Sequence, residues 1–144
     1  MSTYPRTMPT HPRMCRAEVL RTRRLSPSFQ RVTIAGPNLT TFDDAGYDQW
    51  FRLFLPRRPG EALMLPDVAG REWWQSYLAL PEQHRPHVSN YTVADLRRVS
   101  GSVEVDIDVV LHWDSTGHLV GTVARWAASA QTGDELALLD QGVL

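Results

Sequence analysis

SVEVDIDVVL, Ser102 to Leu111, is the most regular stretch of this sequence. Val103, Val105, Ile107, Val109 and Leu111 fall on one side, and Glu104, Asp106 and Asp108 on the other. That period of two belongs to a half-buried β-strand, with the carboxylates on the wet face. Downstream, Gly121 opens a short helix, TVARWAASA, with Thr122 placed to cap it. Gly133-Asp134 then turns the chain into a last strand, Glu135 to Leu139. Upstream, His87 to Val99 (HVSNYTVADLRRV) reads as a single strand. Before it, Arg71 to Leu80 looks helical, with Trp73/Tyr77 and Trp74/Leu78 as i,i+4 pairs, and Pro81 ends it. Trp50 to Leu55 is a short aromatic run that suits a buried strand.

At the other end of the chain, Cys15–Leu25 and Phe29–Ile34 read as a hairpin about Ser26-Pro27-Ser28. Residues 1–13, rich in Pro, Thr and Arg, are expected to be mobile, leaving 14–144 as one domain. About six short strands and two short helices do not alternate in the βαβ manner. The expected fold is therefore mainly β, a six-stranded antiparallel Greek-key barrel with one or two short helices.

Composition narrows the function. The chain has 144 residues, 42% of them hydrophobic, and a formal net charge of −1, so no overall field would hold it on nucleic acid. All 15 basic residues are arginine, a bias read as that of a GC-rich genome. Cys15 is the only cysteine, which rules out an intrachain disulfide and a multi-thiolate metal site. The first residues carry no apolar run of a signal peptide, and no window is long enough for a membrane helix. A cytoplasmic protein is expected.

Few residues offer chemistry. Glu104, Asp106 and Asp108 share one face, but a cation needs further oxygen ligands; only Asp108, nearest the strand end, is kept as a ligand contact. His84 and His87 lie three apart without the two further ligands that zinc wants. His112 follows the best strand and is able to stack on a base or hydrogen-bond a ligand. Gly121, Thr122 and Val123 stand at a helix start, where free N–H groups and the helix dipole favour an anion such as a pyrophosphate. There is no Walker loop and no GxGxxG.

These residues together resemble the siderophore-interacting protein family, ferric-siderophore reductases with a ferredoxin-reductase-like FAD-binding domain. The likeness runs through Tyr91-Thr92-Val93, then Asp106-Ile107-Asp108-Val109-Val110-Leu111-His112. It continues in Gly121 with Arg125-Trp126-Ala127, and in Gly133-Asp134-Glu135-Leu136. It implies FAD as cofactor, with Tyr91 against the flavin and ribityl chain and Thr92 near flavin N5. Val93 belongs to the same strand. Asp108, Val110, Leu111 and His112 would lie beside the adenylate half, and Gly121, Thr122 and Val123 would hold the pyrophosphate. No catalytic acid or base and no protein-bound metal is implied.

The departures from the family are specific. Ser89 and Ala94 stand where the family has arginines, and Gly121-Thr122 replaces Gly-Pro. Arg85, Arg97 and Arg98 are the candidates to replace the missing guanidiniums. The family also has a further nucleotide-binding α/β domain, which would begin where this chain ends. The resemblance thus implies an FAD module of a ferric-siderophore reductase. Its partners would be a ferric siderophore and a separate NAD(P)H-binding or ferredoxin chain, and an open barrel end would invite a homodimer. The alternative is a cofactor-free barrel that serves as a binding module.

Overall fold

The computed structural model describes residues 14–41, 49–58, 61–67 and 72–143. The mobile segment expected over residues 1–13 lies outside them. The alternating stretch forms strand β6 (Ser102–Val110). Val103, Val105, Ile107 and Val109 are buried on the inner face, as the period of two requires, while Val110 at the end is exposed. β6 pairs with β2 (Phe29–Ala35), and β2 with β1 (Met14–Ser26), the expected hairpin. Beyond β1 come β9 (Glu135–Val143), β3 (Gln49–Leu55) and β4 (His87–Thr92), while β5 (Asp95–Val99) flanks β6. The order is β4-β3-β9-β1-β2-β6-β5, every neighbour antiparallel.

This corrects the expected barrel in two respects. Among the described residues the sheet has seven strands, not six, and its ladder is not closed. Both differences arise in His87–Val99, which is two strands rather than one. Tyr91, Val93 and Leu96 all pack against the same core cluster. Residues 91 and 93 share a strand face, but 96 is an odd step away, so the alternation must break between them. The break falls at Val93-Ala94. Val93 N–H donates to the Gln49 carbonyl at 2.9 Å, and Ala94 N–H to the Asp106 carbonyl at 2.9 Å. Two residues therefore carry the chain from one edge of the sheet to the other.

The inner face holds one cluster built from Val19, Ile34, Phe51, Leu53, Ile107, Leu138 and their neighbours. Helix α2 (Thr122–Ser129) adds Val123 and Ala127 to it. A second cluster lies on the outer face of β3 and β9, where Phe54, Ala137 and Leu139 meet Leu63. Helix α1 (Trp73–Ala79), shorter than expected, covers it with Trp73, whose ring meets Phe54 edge-on at 5.9 Å.

The acidic face of β6 is not simply wet. Asp106 is buried, and Arg21, Arg31 and Arg97 pair with Glu104, Asp106 and Asp108 across β1, β2, β6 and β5. A two-stranded ribbon, β7 (His112–Trp113) with β8 (Leu119–Val120), was not anticipated. Asp114 shapes its turn by accepting the N–H groups of Thr116 and His118, each at 2.9 Å.

Candidate functional site

Strand β4 presents the first group of site residues. Tyr91 stands opposite Phe51 in the ladder and is half-buried against the core cluster. Burial pushes its phenol above the ordinary tyrosine range, so it stays protonated at neutral pH. Thr92 is exposed beside it, and Val93 packs on the core. Further back, Ser89 Oγ lies 3.0 Å from His87 Nε2, and burial lowers the His87 pKa.

The second group comes from the N-terminus of α2. Gly121 is the N-cap, at φ 101° and ψ 145°, and no side chain caps the helix. Thr122 is thus the first helical residue, not the cap. The first intrahelical bond runs from Arg125 N–H to the Gly121 carbonyl. The N–H groups of Thr122, Val123 and Ala124 precede it, a donor set that suits an anion. Val123 is buried in the cluster that also receives Tyr91 and Val93, so the two groups meet through one core. A Gly121→Ala change places its Cβ in open space but forces a left-handed backbone. It is expected to lower stability by about 1–3 kcal/mol in urea unfolding, without a packing defect.

The remaining candidates are spread out. Both Asp108 oxygens accept from Arg31, at 2.8 and 3.0 Å, on the outer face. Val110 is exposed opposite Phe29. Leu111 is buried and donates its N–H to Ser28 at 2.7 Å. His112 is exposed on β7, opposite Val120, on the ribbon that leads into Gly121.

The proposed replacement arginines are mostly engaged elsewhere. Arg85 donates to the carbonyls of Leu80 and Leu78 at 3.1 and 2.9 Å, and so ties down the end of α1. Arg97 is held by three carboxylates. Arg98 is exposed on β5. Sequence reading missed a cleft of about 670 Å³ between the stretch after β3 and α2. Thr122 and Arg125 line one wall, Arg57 and Arg58 the other. Among the described residues, no group of three or more His, Cys, Asp or Glu side chains could hold a metal ion.

The family model for the siderophore-interacting FAD-binding domain matches residues 18–143. The chain belongs to this family. An NADPH-dependent ferric-chelate reductase of Escherichia coli K12 is 31% identical over 137 residues, 94% of this chain and 47% of that protein. A siderophore utilization protein from T. fusca superposes with a TM-score of 0.71 at 26% identity, over 94% of this chain and 47% of that one. A ferredoxin NADP+ reductase from Neisseria gonorrhoeae, with bound FAD and NADP, reaches 0.50 at 17% identity. It covers 88% of this chain and 36% of its own, and shares the fold alone. The chain thus spans about half the length of the relatives it matches. The cofactor of this domain family is FAD, and a helix start without a side-chain cap, on the same core cluster as a half-buried tyrosine, fits it. No described helix is long and apolar enough to cross a membrane.

Proposed function

We propose that this domain holds FAD along the seam between β4 and α2 and serves the reduction of Fe(III) in a siderophore. The observation that carries the reading is the meeting of Tyr91, Val93 and Val123 on one core cluster, with Thr92 exposed beside them. Tyr91 offers a ring face and a protonated phenol to the flavin. Thr92 offers a hydroxyl to the flavin edge near N5. The N–H groups of Thr122, Val123 and Ala124 face the pyrophosphate, and His112, on the adjoining ribbon, the adenylate half.

When bound, FAD supplies the redox chemistry, accepting two electrons from NAD(P)H or ferredoxin and delivering them one at a time to ferric iron. The donor would be carried outside residues 14–143. The iron is substrate. Its lower charge as Fe(II) weakens its hold on the hard oxygen ligands of a siderophore. For the protein residues, the work is to bind, orient and shield, with no proton transfer assigned to any side chain.

The test is a visible absorption spectrum of the purified protein after incubation with excess FAD and desalting. A retained flavin band is expected. Replacing Tyr91 with alanine should weaken FAD binding by roughly 10- to 100-fold, the loss of one stacking platform. Unchanged affinity in that variant would remove Tyr91 from the site. A wild-type protein that retains neither FAD nor FMN would favour a cofactor-free binding module.

A further inference from the structure

We propose that Arg125, with Arg57 and Arg58 across the cleft, binds the diphosphate of FAD; this rests on the FAD reading above. A diphosphate needs counter-charge as it leaves water, and charge-assisted bonds from guanidinium forks are the strongest available here. Most described arginines are already held. Arg21, Arg31 and Arg97 pair with carboxylates, Arg52 lies over the Trp73 ring, and Arg85 donates to the end of α1.

The cleft arginines differ. Arg125 has no carboxylate partner among the described residues. Arg57 donates to the Glu82 carbonyl, a neutral group that leaves its charge uncompensated. Among the described residues, the ion pair of Arg58 is a long contact of 3.9 Å with Glu61, and its side chain is 83% exposed. All three line the cleft into which Thr122, the first residue of α2, also projects. Its volume of about 670 Å³ suits a cofactor segment. Three carboxylates line it too: Glu61 lies 3.9 Å from Arg58, and Asp134 and Glu135 follow the C-terminal end of α2. The anion is therefore placed at the N-terminal end.

The strand geometry agrees. Leu55, on the cleft wall, stands opposite His87 at the start of β4. Tyr91 lies four residues further along, roughly 13 Å away at the rise of a β-strand. A ribityl chain and its phosphates can bridge that span, with the flavin at Tyr91 and the diphosphate in the cleft. Positive charge removed from the strand, at Ser89, is then supplied from the cleft walls.

Titration of the whole chain with FAD, FMN and riboflavin tests this, because only the first two carry phosphate. In Arg125→Ala, FAD binding should weaken by about tenfold to a hundredfold, FMN less, and riboflavin by under about twofold. Arg125→Lys should recover part of the loss. Arg57→Ala with Arg58→Ala should weaken FAD selectively and flatten its salt dependence. Equal loss for riboflavin and FAD, or no loss, overturns the assignment while leaving the FAD reading intact. A wild-type chain that binds none of the three flavins overturns both.

Discussion

Arg97→Met should lower the free energy of unfolding by about 3 kcal/mol, among the larger effects open to a polar side chain in this fold. The guanidinium grips Asp106 with two nitrogens, at 2.7 and 2.9 Å, and also reaches Asp95 at 2.8 Å and Glu104 at 3.2 Å. The Asp106 side chain is only 3% exposed and keeps just the Thr33 hydroxyl at 2.7 Å and Arg31 at 3.8 Å once Arg97 is gone. A buried carboxylate left so exposed to desolvation is the costly case. The cost sits at the low end of that class because Arg97 is itself 33% exposed and water screens the pair. Burial alone would raise the Asp106 pKa. Hydrogen bonds from Arg97 and Thr33, with the charges of Arg97 and Arg31, outweigh it and hold the group below the ordinary carboxylate range. A folded-state pKa below the unfolded one stabilises the protein above the carboxylate range, and that stability is lost as pH falls through the folded value. In Arg97→Met burial dominates, and the group prefers its proton. The gap between wild type and variant should therefore narrow below about pH 4. Urea unfolding at pH 7 and at low pH measures both. A loss below about 1 kcal/mol at pH 7 would class the network with ordinary surface pairs. The effect reaches the site, because Asp106 also accepts the Ala94 N–H and so anchors the link that follows Tyr91 and Thr92.

The same network shows what a local pattern can and cannot reveal. The alternation in Ser102–Leu111 was enough to place β6 and its buried face, because side-chain period depends only on the strand itself. Asp106 looked solvated for the same reason. Its burial is created by Thr33 on β2 and Arg97 on β5, which stand beside it only through register. The division of His87–Val99 was hidden by its continuous strand-forming content. The odd spacing of Val93 and Leu96 was the available cue, and it becomes decisive only when one core must receive both. Asp114 to Gly117 carried a turn signal for the β7–β8 ribbon that went unused. Of the proposed site, Tyr91, Thr92 and Gly121 are legible in the sequence as a family motif. Arg57 and Arg58 are not, because they read as loop residues. Their relation to Arg125 arises across a fold that separates them by nearly half the chain.

Phe51→Ala is the change expected to strike fold and site together. Phe51 is fully buried in the inner cluster, on the strand next to the edge strand β4, and stands opposite Tyr91. Removing its ring should cost about 3–5 kcal/mol, the lost burial plus the cavity that rigid neighbours cannot fill. Those neighbours include strands on both sides, since β3 is hydrogen-bonded to β4 and β9, so the backbone has little freedom to collapse inward. Tyr91 is only half-buried, and its position on an edge strand depends on that wall. The variant should therefore bind FAD more weakly even at low temperature, where the fold is retained. Phe51→Leu supplies the control, because it keeps most of the volume and should recover both properties in part. Urea unfolding and FAD titration below the unfolding transition separate the two effects. If Phe51→Ala lost its stability but bound FAD as tightly as wild type, Tyr91 would be held by β4 alone. The flavin wall would then be independent of the core beneath it.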